Sequence, residues 1–231
     1  MMKRLIALSL ALLLTVLPLA ARADKAFNMN HPIAYMDANF TCGCQRGGSG
    51  TMIGRYGLIT AAHNLYCHVH GKPLKSCNFY FGANSPGSCW YRYSGKFSYT
   101  VYDTFANGYS SVNDIGFVIF ESPVGNSTGW YGCMVGSDHD LNEEFFNLLT
   151  YDSTRHLQSL FEVQYVYSDK QLYWEGWISG TDGGPVCFTG EDFDYPTVTA
   201  VYTSHDANGN GYGRRLTNDV FQVMKAAGAF N

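Results

Sequence analysis

Three short segments hold residue types that could do chemistry together. His63 leaves the apolar run Leu58-Ile59 through the small-residue turn Thr60-Ala61-Ala62. Asp114 begins Asp114-Ile115-Gly116, at the mouth of an apolar run that reaches Phe120. Ser179-Gly180-Thr181-Asp182-Gly183-Gly184-Pro185 is a glycine-rich turn leading into Val186-Cys187-Phe188. An acid beside a histidine fixes the imidazole tautomer and supports its protonated form, so the pair can move a proton to or from a third group. Glycines let a turn aim backbone N–H groups at a place where negative charge develops. Taken singly, each segment also has a plainer reading: a hydrogen-bonded core histidine, a strand-end acid and a hairpin turn.

The elements that must position these residues read as strands. Thr51-Met52-Ile53-Gly54 and Gly57-Leu58-Ile59-Thr60 suggest two strands joined at Arg55-Tyr56. Ile115 to Phe120 is short enough for a buried strand, Phe161 to Tyr167 alternates, and Thr197 to Tyr202 is rich in β-branched residues. Ala61 to Leu65 could form a single helical turn. Near the end, Thr217-Asn218-Asp219 offers capping side chains ahead of Val220, Phe221, Val223, Met224 and Ala227, whose spacing gives one apolar face. Strands throughout with one terminal helix predict an all-β sandwich or barrel rather than βαβ units. The 17 Tyr, 15 Phe and 25 Gly suit pleated surfaces and tight turns. A weak boundary falls near Gly125-Asn126-Ser127-Thr128-Gly129.

In this order the segments resemble the chymotrypsin-like (trypsin-like) serine protease family, nearest in style to compact bacterial glutamyl-endopeptidase-like members. That family sets its base in T-A-A-H, as in Thr60 to His63, and its acid in D-I-[AG], as in Asp114-Ile115-Gly116. Its nucleophile turn is G-x-S-G-G-P, matched by Gly180 to Pro185 except at the serine. Gly50 to Gly54 resembles the strand before the histidine turn, and Tyr212 to Thr217 the closing strand, so the likeness covers roughly residues 40 to 231. The resemblance implies two antiparallel six-stranded β-barrels packed together with a C-terminal α-helix. The first barrel would span residues 24–128 and the second, with the helix, residues 129–231. It also implies a catalytic set of His63, Asp114 and residue 182, with an oxyanion hole from the N–H groups of Gly180 and Asp182. Tyr202, Thr203, Ser204 and His205 would form the edge that pairs with a peptide. His205 is either a surface histidine or a contact for an acidic side chain.

The departure is Asp182, which stands where the family has its nucleophilic serine. A carboxylate attacks amides poorly, and it sets negative charge beside the place where oxyanion charge must grow. Two such charges about 4 Å apart cost about 4 kcal/mol at an effective dielectric of 20, or roughly a thousandfold in rate. The leading expectation is therefore a pseudoprotease that binds a peptide or protein segment. The alternative is an active hydrolase using Thr181 or a water activated by Asp182, with Ser179 as a further candidate nucleophile. Thr181 also replaces the aspartate that precedes the serine in many trypsin-like members, and no I-V-G-G-like start is present, so activation by propeptide cleavage is not supported. Gly176 sits where relatives specific for Lys or Arg carry aspartate.

Composition bounds the rest. Lys3 and Arg4, the apolar run Leu5 to Leu19 and Ala21-Arg22-Ala23 form a signal peptide pattern over residues 1–23, so secretion or periplasmic export is expected. That run is short of the ~20 residues that span a bilayer. The chain carries a net charge of −4, and losing the basic leader makes it more acidic. Acidity argues against nucleic acid and against anionic membranes as partners. All seven cysteines follow the leader: Cys42, Cys44, Cys67, Cys77, Cys89, Cys133 and Cys187. Disulfides are the expected state after export, and the odd thiol is expected to be free or to bond another chain. Structural metal is the competing reading, set aside because Cys42-Gly43-Cys44 and Cys67-His68-Val69-His70 lack the usual C-x2-C and H-x3-H spacing. Asp206 to Gly211 repeats half of a calcium loop, but Thr217 replaces the closing glutamate, so a hairpin turn is the better expectation. No metal and no cofactor are expected.

Overall fold

The computed structural model describes residues 28–176, 178–189 and 195–230. The segment expected to be a signal peptide lies outside them. The first eight strands are β1 (Ile33–Phe40), β2 (Gln45–Met52), β3 (Gly57–Thr60), β4 (Tyr66–Cys67), β5 (Lys72–Phe81), β6 (Tyr91–Tyr93), β7 (Phe97–Val101) and β8 (Gly116–Phe120). They form one antiparallel sheet in the order β4-β5-β1-β2-β3-β8-β7, with β6 also pairing β5. The six longer strands make the barrel expected from sequence, and the short β4 and β6 extend it. Phe97 of β7 packs edge-on against Phe79 of β5 at 5.3 Å, which draws the ends of the sheet together. Phe79, Phe81, Tyr93 and Phe120 fill the interior.

The second sheet holds β9 (Gly132–Cys133), β10 (Glu144–Tyr151), β11 (Leu157–Ser168), β12 (Gln171–Trp174), β13 (Pro185–Phe188), β14 (Thr197–His205) and β15 (Gly211–Arg215). Their order is β13-β10-β11-β12-β15-β14-β9, and β13 pairs with β14 as well, which closes a six-stranded ring. The two-residue β9 lies parallel to β14 outside that ring. Phe146, Leu172, Trp174, Val186 and Tyr202 pack inside it. Both sheets therefore reach the expected architecture of two antiparallel barrels.

A third apolar cluster lies between the barrels. It joins Ile33, Tyr35, Ile59 and Phe117 of the first to Tyr151, Val198 and Val201 of the second, with Val220 and Met224 of the terminal helix. Tyr35 meets Tyr151 edge to face at 6.3 Å. The helix spans Asn218–Ala226 and buries Val220 and Met224, four residues apart, on one face. Thr217 stands at its N-cap with extended backbone, but its hydroxyl donates to the Asp219 carboxylate instead of accepting from a helix N–H. Capping by that side chain, expected from sequence, is absent. All seven cysteines are free thiols in the structure, where pairing had been expected. Among the described residues no helix is long and apolar enough to cross a membrane.

Candidate active site

His63 lies in a single 3-10 turn, Ala62–Asn64, that ends β3. The turn can lie this low against β8 because Gly116 has no side chain: a Cβ there would meet Leu65 at 2.8 Å and Ala62 at 3.3 Å. Asp114 closes another 3-10 turn, Ser111–Asn113, just before β8. From β12, the Gln171 amide donates to the Ser111 hydroxyl at 3.0 Å and ties that turn to the second barrel. The Asp114 carboxylate is fully buried and bonds His63 twice. One oxygen accepts the His63 backbone N–H at 3.0 Å, and the other lies 2.6 Å from His63 Nδ1.

Asp182 arrives from the second barrel on the turn before β13. Its Oδ2 is 3.2 Å from His63 Nε2. The imidazole is thus bracketed by two carboxylates, one on each ring nitrogen. It is 3% exposed, while Asp182 is 27% exposed towards the cleft. Burial alone would lower the His63 pKa; the Asp114 charge and hydrogen bond, followed by those of Asp182, outweigh it and raise the value to about 9.

Backbone conformation explains why the 180–185 turn needs glycine. Gly183 has φ +100°, a left-handed value that side chains rarely adopt. A Cβ there would sit on the Ser49 carbonyl and within 2.7 Å of the Asn64 amide. The turn is pinned to the first barrel through those same residues. The Asp182 carbonyl accepts from Ser49 N–H at 2.9 Å and from Asn64 Nδ2 at 2.9 Å. The Ser49 hydroxyl lies 2.8 Å from that of Thr181 and 2.9 Å from that of Thr150, and it accepts the Tyr151 N–H at 2.9 Å. Sequence reading missed Ser49 and Asn64. The position of Asn64, directly after His63, was the one signal available.

The remaining predicted residues divide. The Gly180 N–H donates to the Ile178 carbonyl at 2.8 Å, so the donor expected there for an oxyanion hole is already engaged. Thr181 directs its hydroxyl to Ser49 and its N–H to the Tyr151 carbonyl at 2.6 Å, committing it to the barrel interface. Ser179 is exposed. Tyr202 and Thr203 are buried, Ser204 is half-buried and His205 is exposed, all on β14. The β13 pairing of β14 ends at Pro185↔Val201, whereas β15 continues along the other side to His205. Among the described residues, no strand pairs the β13 side of β14 beyond Tyr202. Burial, and after it the Asp182 charge, push the Tyr202 phenol up. Asp206 to Asn210 forms the expected hairpin turn, its carboxylate accepting the N–H groups of Asn208 and Asn210 at 2.9 Å.

Solved structures share this fold. The chain is similar to a Glu endopeptidase (16% identity, TM-score 0.72, covering 89% of this chain and 95% of that one). It is similar as well to a thermostable serine protease from an extremophilic microorganism (13%, 0.73, 87% and 99%). A protease from Arthrobacter nicotinovorans gives comparable values (13%, 0.72, 88% and 98%). No family model matches the sequence, and no curated protein does. The fold is that of the chymotrypsin-like serine proteases.

Proposed function

We propose that this chain is an exported protein of the chymotrypsin-like serine protease family whose nucleophile has been replaced by Asp182. In this reading it holds a peptide or protein segment along β14 in the cleft between the barrels and does not cleave it. The observation that carries the proposal is the 3.2 Å contact between Asp182 Oδ2 and His63 Nε2. In an active protease that nitrogen takes the proton of an attacking hydroxyl. Here it faces a carboxylate oxygen, a hydrogen-bond acceptor. Nδ1 faces the Asp114 carboxylate at 2.6 Å, so both ring nitrogens satisfy their partners only by carrying hydrogen. An imidazolium cannot act as a general base.

Support for binding comes from the edge of β14, which offers backbone groups beside the site in the manner of strand addition. The hydrolase alternative finds less support, because the Thr181 hydroxyl is engaged by Ser49 at 2.8 Å. The test incubates the purified chain with quenched casein and with a serine-reactive fluorophosphonate. Neither turnover nor labelling is expected. Asp182→Ser should gain labelling at residue 182 and hydrolysis at least about a thousandfold above the parent chain, matching the charge repulsion removed. Labelling of Ser179 or Thr181 in the parent chain would overturn the proposal.

A further inference from the structure

Two hairpins of the first barrel bring four metal-ligating side chains to one point. The β1–β2 connection, Thr41 to Cys44, carries Cys42 and Cys44. The β4–β5 hairpin supplies Cys67 from its strand and His70 from its turn. Their three thiol sulfurs and one imidazole nitrogen all lie within 4.8 Å of one another. His70 Nδ1 is 3.3 Å from Cys44 Sγ and 3.5 Å from Cys67 Sγ. A tetrahedral zinc ion with its usual bond lengths separates sulfur from nitrogen by about 3.6 Å and sulfur from sulfur by about 3.8 Å. The two nitrogen–sulfur distances of 3.3 and 3.5 Å are close to that spacing, and the remaining pairs stay within 4.8 Å.

We propose that Cys42, Cys44, Cys67 and His70 form a structural zinc site of the Cys3His type. Chemistry favours zinc among divalent ions, since three thiolates and one imidazole are soft and borderline donors without a hard oxygen ligand. Four protein ligands leave no position for water or substrate, so the ion would be structural and not catalytic. Binding releases one proton from each of the three thiols and leaves His70 neutral, with no change of oxidation state. The spacing from Cys67 to His70 is a C-x2-H knuckle, a signal hidden by looking only for C-x2-C and H-x3-H. Backbone bonds prearrange both arms: Gly43 N–H bonds the Phe40 carbonyl at 3.0 Å, and Thr41 N–H bonds the Pro73 carbonyl at 3.1 Å. Gly43, at φ +88°, lets the connection turn tightly between its two cysteines. Cys67 lies four residues after His63, so the ion would clamp the loop that carries the histidine to the neighbouring hairpin.

A disulfide between two of these cysteines would use the same thiols, and the experiment separates the two states. The full chain is expressed with zinc supplied and purified without reductant or chelator. Its metal content is measured, and its cysteines are mapped by alkylation and non-reducing digestion. One zinc per chain is expected, with Cys42, Cys44 and Cys67 unlinked. Cys42→Ser and Cys67→Ser should lose the ion, and Cys89→Ser should keep it. Because Cys67 is buried, His70→Ala provides a variant at an exposed position. Replacing zinc with cobalt should give thiolate charge-transfer absorption in the parent chain that weakens in His70→Ala. A metal-free chain, a disulfide joining any two of the three cysteines, or zinc retained in all three ligand variants would each overturn the site.

Discussion

His63 meets one carboxylate through Nδ1 at 2.6 Å and another through Nε2 at 3.2 Å, and the proposed loss of proteolysis rests on this pair of contacts. Its pKa, raised to about 9 from an ordinary 6.5, links the site to stability. A group whose value is higher in the folded state contributes stability fully below its unfolded value and loses it as pH rises through the folded one. The unfolding free energy should therefore decline between about pH 6.5 and 9, measured by urea titration across that range. In Asp182→Asn the carboxylate charge is gone, so the His63 pKa should fall towards 6.5 and the decline should shrink. An unchanged slope in that variant would separate Asp182 from the protonation of His63. The segments around His63, Asp114 and residue 182 were legible because each is a local string: a turn leaving a strand, an acid entering one, glycines around a half-buried polar position.

At the scale of elements, the turn before β13 is held by contacts that no local string contains. Ser49 and Thr181 are separated by 132 positions, and Asn64 and Asp182 by 118. Reading the sequence therefore found the turn and not its anchors. It also carried no sign of the bond from the Gly180 N–H to the Ile178 carbonyl. Ser49→Ala should cost about 1–3 kcal/mol, because the Thr150 and Thr181 hydroxyls and the Tyr151 N–H lose a buried partner. Gly183→Ala should cost more, about 3 kcal/mol, since the left-handed backbone and the clash with the Ser49 carbonyl add. Chemical denaturation of both variants measures the two costs; a neutral Gly183→Ala would contradict the packing described for this turn.

At the scale of the whole molecule, the barrels share a core. Phe117 of the first barrel and Val201 of the second belong to one cluster that also takes in Met224 of the helix. Phe117→Ala should cost about 3–5 kcal/mol, and the two barrels should still unfold together in a single transition by circular dichroism and fluorescence. Separate transitions for the two halves would show that the shared cluster does not couple them. The strands themselves were readable from alternation and apolar runs. Which strands pair was not, because β13 finds β10, with Asn147 opposite Cys187, across a long stretch of chain. The metal reading of the cysteines was set aside on spacing within each segment, because only the fold brings their two hairpins together.

Nitrogen-15 NMR of the histidine side chains at pH 7 tests the central claim most directly, because it reads the hydrogens on each ring nitrogen. If His63 is held between two carboxylates, Nδ1 and Nε2 should both carry hydrogen, with imidazolium shifts that persist until the pH approaches 9. A neutral ring at pH 7, with a bare Nε2 facing residue 182, would contradict the account.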